Sequence, residues 1–303
     1  MNPYKTDYLL LHFIVFIWGW TAILGELITL PTDQLVWIRI MIASCGIISW
    51  LLITRQSLFA APRNILKYLG TGLIVGLHWV CFYGSIKVSN ASVTLAVFAS
   101  GSLFTAFIEP LFFKRSIRSY EIISGILVII AIGLIFGVET EYAWGIVLGI
   151  LAALTSSVFG VINSTFVRGG HQSAVVSVYE MLGGLAGLSI YMFFAHEDLG
   201  SMFVMSDKNW MYMLLLGIAC TSLPFLISLR VLKSVSPYTV SLTLNLESVY
   251  GIILSWLILD HNKFLTVYFY IGTGIILSTL FLNAWLSRRY DQRLKAAAGE
   301  TAG

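Results

Sequence analysis

Residues 65–113 read ILKYLGTGLIVGLHWVCFYGSIKVSNASVTLAVFASGSLFTAFIEPLFF. Two apolar runs, 65–86 and 91–113, are joined by one polar turn around Lys87, Ser89 and Asn90. Each run is near the roughly 20 residues a helix needs to cross a bilayer's hydrocarbon core. Only helices and closed barrels satisfy their backbone groups there. The runs are too long and too uniformly apolar for barrel strands, which alternate over about 10 residues. The stretch therefore reads as a pair of membrane-crossing helices.

The same pattern continues in both directions. The remaining apolar runs fall at 8–29, 34–53, 119–137, 143–166, 173–195, 209–231, 236–258 and 264–286, for an all-α integral membrane protein of ten helices. Composition agrees: 58% of residues are hydrophobic and 11% charged, with a mean hydropathy of +0.87. A soluble domain carries about twice that charge. Cys45, Cys81 and Cys220 all fall in apolar runs, which suggests small buried residues and neither a disulfide framework nor a metal site. No small-residue cleavage site follows the first run, so it reads as a retained span. The segment 291–303 reads as a disordered cytoplasmic tail.

Lysine and arginine concentrate on the cytoplasmic side of a membrane protein. A cytoplasmic N-terminus puts Lys5, Arg55, Arg63, Lys67, Lys114, Arg115, Arg118, Arg168, Arg230, Lys233, Arg288, Arg289, Arg293 and Lys295 inside. It leaves Lys87, Lys208 and Lys263 outside, with the acidic turn of Glu139 and Glu141. Both termini are therefore expected in the cytoplasm. The turn at Lys87–Asn90 also has a counterpart, VLKSVSPYTV at 231–240, displaced by 146 positions between Lys87 and Lys233. This suggests two halves, 1–138 and 139–290. Five spans per half forces the second half upside down, and inverted repeats with a site near mid-membrane are a transporter signature. Gly72 and Gly76, Gly145 and Gly149, and Gly183, Gly184 and Gly187 are spaced for close helix approach.

Several of these residues carry a family likeness. Trp18 and Gly19 in IWGW, Arg39 in WIRIMIA, the passage GLHWVCFYGSIKVSNASV and the run LNLESVYGIILSWLIL resemble the EamA-type branch of the drug/metabolite transporter superfamily. The resemblance implies ten helices in two inverted five-helix repeats, an inner-membrane location and transport, often export, of small metabolites. Ser102 and Ser248 stand where the family commonly has prolines, and Arg115 and His261 where it usually has glutamates.

An ionisable group deep in the bilayer costs about 2.5–3.5 kcal/mol on insertion scales, so each one invites a functional reading. Glu247, beside Asn245 and Ser248 and followed by Tyr250, is the leading candidate, to bind a substrate ammonium or to carry a coupling proton. Glu180, Trp18, His78, Trp79, Tyr83, Asn163 and Thr221 complete the candidate substrate-binding set. His78 and Trp79 point in different directions, so at most one is expected to face a given cavity. Arg39 is expected to snorkel to the outer interface, and Glu26 and Glu109 to reach interfaces from span ends. Pro224 and Pro110 mark possible kinks. Trp37, Trp50, Trp144, Trp210, Trp256 and Trp285 read as interfacial belt residues.

No P-loop, HExxH, GxSxG or Cys/His ligand set is present, which argues against ATP-driven pumping and against an enzyme. No catalytic residue, cofactor, metal or nucleic-acid partner is expected. The partners are a small-molecule substrate and the lipid bilayer, for a monomer or a dimer. Scarce positive charge in the interior points to a neutral, zwitterionic or cationic substrate, not a phosphate. The expectation is a secondary active transporter or exchanger that exports amino acids, aromatic or hydrophobic ones included, by alternating access. Proton, sodium and exchange coupling stay open. The alternative is a lipid flippase or other lipid-handling protein using Lys114, Arg115 and Arg118.

Overall fold

The computed structural model describes residues 3–138, 140–195, 200–259 and 266–300. Glu139, His261 and Lys263 lie outside them. The described residues are mostly helical, with no strand among them. The first half runs α1 (Pro3–Leu27), α2 (Thr32–Ile53), α3 (Pro62–Val88), α4 (Ala91–Phe98), α5 (Gly101–Phe113) and α6 (Ser119–Val138). The second runs α7 (Ala143–Arg168), α8 (Ser173–Ala195), α9 (Asp207–Leu214), a π-helical segment Leu215–Ser222, α10 (Leu223–Val231), α11 (Pro237–Ile258) and α12 (Val267–Glu300). Among the described residues eight helical stretches are long and apolar enough to cross a membrane, α4–α5 and α9–α10 each counting as one. Two shorter apolar stretches, Ser119–Ile135 and Val267–Asn283, pack against each other as α6 and α12. The backbone of α12 runs on through 291–300, where composition suggests disorder and where Lys295 and three alanines have high helix propensity.

Two spans are interrupted. The chain tightens at Ala99 and Ser100, where Ser100 N–H bonds Val97 O and Leu103 N–H bonds Ser100 O, both three residues apart. The span at 209–231 widens into π geometry, and Thr221 and Ser222 donate their hydroxyls five residues back, to Leu216 O and Gly217 O. Pro224, whose ring nitrogen donates nothing, follows at the start of α10. Neither interruption is expected from hydropathy.

Contacts between the halves obey an exchange rule. α3 packs on α7 and α8, and the α9–α10 segment packs on α1 and α2. α1 packs on α11, and α7 packs on α4 and α5. α2 meets α8, the α4–α5 span meets α11, and α6 meets α12. Moving each span five places along the chain maps this set onto itself. The polar turns match as well. The side chains of Asn90 and Ser236 cap α4 and α11 by accepting from Val93 N–H and Thr239 N–H.

One end of the bundle gathers the start of α1, the α5–α6 turn, the end of α7 and the α10–α11 turn. Asp7 accepts from Ser234 at 2.5 Å, Arg168 donates to Leu232 O and Val235 O, and Glu109 accepts from Tyr238 N–H at 2.7 Å. This is the basic end. The other end carries Lys87, which donates to Ile28 O, and Asn209, which donates to Thr29 at 2.8 Å. Glu26 and Glu109 do not reach for the interface as expected. Each is held at a helix start, Glu26 accepting from Ala91 N–H of α4 and Glu109 from Tyr238 N–H of α11, where the helix dipole favours an anion. In the α5–α6 turn, Arg115 pairs bidentately with Glu121 at 2.9 and 3.0 Å and with Glu109 at 3.4 Å. Burial opposes the Arg115 charge, but hydrogen bonds and charge from Glu121, aided by Glu109, hold its guanidinium above the ordinary value. Cys81 and Cys220 are buried, whereas Cys45 is exposed, on a face of α2 that the apolar run alone does not single out.

The tightest helix pair is α3 with α8. A Cβ added at Gly183 would lie 2.7 Å from Leu69 Cα, and one at Gly72 would lie 2.8 Å from the Glu180 carbonyl carbon. Close backbone approach supplies dispersion where no hydrophobic drive separates helix from lipid. Gly183→Ala is therefore expected to lower stability by about 1–3 kcal/mol through overpacking. Gly133→Ala, where an added Cβ meets nothing within 4 Å, should be neutral or slightly stabilising. Thermal unfolding of the two variants in detergent checks this, and equal midpoints would contradict it.

Candidate functional site

The interruptions and the two halves converge on one cavity of about 920 Å³, its mouth included. Its walls come from Trp18 and Thr21 of α1, Arg39 of α2, His78, Trp79 and Phe82 of α3, Phe98 of α4 and Thr105 of α5. From the second half come Ser156, Ser157, Phe159 and Asn163 of α7, Thr221, Phe225 and Ser228 near the π segment, and Ser241, Leu244 and Glu247 of α11. Leu232 and Pro237 line its far reach, so the cavity extends from mid-bundle to the basic end.

Arg39 and Glu247 set its electrostatics. Arg39 is 3% exposed and does not snorkel, which corrects the sequence expectation. Its Nε donates to Thr221 Oγ1 at 2.7 Å and its Nη1 to Tyr83 Oη at 2.5 Å. Its guanidinium carbon lies 4.4 Å from the Trp79 ring centre. Two hydroxyl acceptors and one aromatic face hold the guanidinium inward, which outweighs the reach to an interface. These contacts use two of five N–H groups and leave the others for a ligand. Among the described residues no carboxylate lies within ion-pair distance of it. Glu247 is 5% exposed, lines the same cavity and accepts no hydrogen bond from a described residue. The guanidinium and the Glu247 carboxyl lie within electrostatic range of each other.

Aromatic rings line the same cavity. His78 Nδ1 lies 2.9 Å from Ala152 O, which only accepts, so Nδ1 carries a proton. The imidazole lies 5.4 Å from the Phe159 ring and 5.6 Å from Phe98. His78 and Trp79 both line the cavity, contrary to expectation. The cavity is wide enough that neighbours about 100° apart on a helix flank it together.

Of the residues singled out in the sequence, Glu247, Trp18, His78, Trp79, Asn163 and Thr221 meet here. The other four do not line it. Asn245 is 1% exposed and donates to Ser102 Oγ at 3.3 Å, pinning α11 to α5. Tyr83 stands behind Arg39 as a hydrogen-bond partner. Glu180 lies behind Asn163, whose Nδ2 donates to it at 3.2 Å. Tyr250 packs edge-on against Phe16, 5.4 Å between ring centres, on the outer face of α1 and α11. The serines at the usual proline positions have work of their own: Ser248 donates to Leu95 O at 2.6 Å, and Ser102 receives Asn245. Arg39 is the residue that sequence reasoning misplaced. Phe98, Phe159, Phe225 and the hydroxyls of Ser157 and Ser241 were passed over, since nothing in a uniformly apolar run marks which face looks inward.

The cavity's direction is testable with Cys45→Ala as background. Ser241→Cys should react with a membrane-impermeant thiol reagent applied at the basic end and resist it from the other side. Labelling only from the Lys87 side would contradict this geometry.

A family model described as "EamA-like transporter family" matches residues 6–137 and 143–285. An uncharacterized transporter, YxxF, of Bacillus subtilis (strain 168) is 22% identical over 245 residues, covering 78% of this chain and 77% of that protein. The crystal structure of another protein superposes with a TM-score of 0.71 at 14% identity, covering 93% of this chain and 99% of the other, a likeness of fold.

Proposed function

The chain belongs to the EamA-like transporter family, and from that premise we propose that it is a secondary carrier exporting a small zwitterionic metabolite, an amino acid, by alternating access through the central cavity. The observation that carries this reading is the pairing of Arg39 and Glu247 on one aromatic-walled cavity. A guanidinium suits a carboxylate and a carboxylate suits an ammonium, and an α-amino acid presents both. Trp18, Trp79 and Phe159 provide flat apolar surface for an aromatic or branched side chain. Phosphorylated substrates fit poorly, because one cation faces one anion.

The proposed architecture is ten spans in two inverted repeats, 1–138 and 139–290, in the inner (plasma) membrane with both termini cytoplasmic. The two consecutive family matches, the exchange rule in the helix contacts and the start of α7 at the end where α1 finishes support it. With the basic end in the cytoplasm, this conformation is inward-facing. Arg39, Tyr83 and Thr221 then close the outer side, and the π segment beside Pro224 is a place for the bundle to flex. Glu247 binds the ammonium, and in its absence a proton. The lipid-handling alternative loses support in the α5–α6 turn: Arg115 is committed to Glu121, and Arg118 donates to Tyr120 Oη at 2.7 Å.

Counterflow in proteoliposomes tests the assignment. Charge-assisted hydrogen bonds are worth about 1.5–3 kcal/mol, so E247Q and R39Q should each raise the half-saturating amino-acid concentration roughly tenfold or more. E247Q should cost nothing further for an analogue that lacks the ammonium. Equal losses for analogue and amino acid would remove Glu247 as the ammonium site, and unchanged pH dependence in E247Q would remove it as a proton site.

A further inference from the structure

We propose that Glu180 is a second, separate proton site: a buried carboxyl that hydrogen-bonds Asn163 of the cavity wall and exchanges its proton with the basic end of the bundle through Tyr68 and His171. This rests on the carrier reading for its role in coupling, but not for the protonation itself.

Glu180 is fully buried in α8, seven residues past its start at Ser173, so it lies roughly 10 Å along the helix at 1.5 Å per residue. Its backbone is clamped, because α3 presents Gly72 to its carbonyl with no room for a Cβ. Asn163 Nδ2 donates to Oε2 at 3.2 Å. Among the described residues nothing donates to Oε1 and nothing donates to Asn163 Oδ1. An ionised carboxylate offers about four acceptor positions, and one donor cannot serve it. Leaving it charged and unpaired with no exposure is far costlier than holding a proton. A proton on Oε1 removes the uncompensated charge and leaves Asn163 Nδ2 donating to Oε2 as observed. Two lone oxygens suit one proton and are too few to replace the shell of an alkali cation.

The groups facing Glu180 supply no compensating cation. From α3 comes Tyr68, within electrostatic range. From α7 comes Asn163. On α2, Arg39 turns into the central cavity, and on α10, Arg230 reaches toward Asp7 at 3.9 Å. On α8 itself Tyr179 donates to Leu58 O.

Open solvent lies beyond Tyr68. A hollow of about 520 Å³, mouth included, opens at the basic end and is lined by Phe59, Asn64, Tyr68, Gly170, His171 and Gln172. The Tyr68 hydroxyl is hydrogen-bonded to His171 Nδ1 in its wall. A proton entering from the far side with the outward-facing cavity would rest on Glu180 and leave through Tyr68 and His171. Asn163, touching both Glu180 and the cavity, is where proton occupancy is felt by the substrate.

Two readouts test this on reconstituted full-length protein. Infrared spectra of the substrate-free protein should contain a protonated carboxylic acid C=O band that E180Q removes and N163A shifts to higher wavenumber. In transport, E180Q should weaken the response of amino-acid uptake to an imposed pH gradient, leaving the part carried by Glu247, while exchange, which moves no net proton, continues. H171A should slow the gradient-driven phase. An unchanged infrared band in E180Q, or an undiminished response to the gradient, overturns the proposal. A sodium gradient that drives wild-type uptake and fails in E180Q overturns the identity of the ion. If wild-type protein shows no counterflow, the carrier reading fails, and the infrared band still decides the protonation. If E180Q does not fold, N163A reads the same site, since loss of its hydrogen bond moves the band without erasing it.

Discussion

In hydrocarbon every backbone N–H and C=O must find a partner inside the protein. That constraint makes the chain helical, and it also decides where the chain can stop being helical. Irregular backbone at membrane depth is tolerated where it is buried in protein or lines a cavity. Both interruptions obey this. The break at Ala99 and Ser100 is buried, next to Phe98 on the cavity wall, and Gly101 O beyond it takes hydroxyls from Ser157 and Thr105. In the π segment Thr221 and Ser222 answer the displaced carbonyls. The cavity exists because these segments and their hydroxyls close the backbone's needs locally.

Close packing around the cavity serves the same end. α3 and α8 meet backbone to backbone at Gly72, Gly76, Gly183 and Gly184, and His78, Trp79 and Phe82, further along α3, form the aromatic wall. Arg39 sits where α2, α3 and the π segment meet, and its contacts with Tyr83, Thr221 and Trp79 tie the three together. A buried cation is costly, so its neighbours are chosen to hold it rather than to let it reach water. The same reasoning applied to Glu180, which has one donor where an anion needs several, points to a neutral acid.

Hydropathy made the helical stretches legible, because length and apolarity suffice to mark them. The breaks were not legible: Ser100 and Gly101 are ordinary in membrane helices, and Leu215–Ser222 is as apolar as its flanks. Direction was the other gap. A soluble helix advertises its buried face through polar neighbours, whereas here both faces are apolar and Tyr250 and Trp18 look alike in sequence. One points toward Phe16 and the outer surface and the other into the cavity. Of the ionisable residues singled out, Glu247 lines the cavity, whereas Glu180 lies behind Asn163. Arg39 escaped because depth counted along the chain does not say which way a long side chain turns; its match to the family pattern in WIRIMIA was the available signal.

The central claim is that the cavity selects a zwitterion by opposing a guanidinium to a carboxylate. The most direct measurement is counterflow by the wild-type protein of one aromatic amino acid against its methyl ester and its N-acetyl derivative, which remove the negative and the positive charge in turn. The account predicts exchange of the free amino acid and marked loss with either blocked form. Equal exchange of all three forms, or exchange of none by protein shown to be folded, would contradict it.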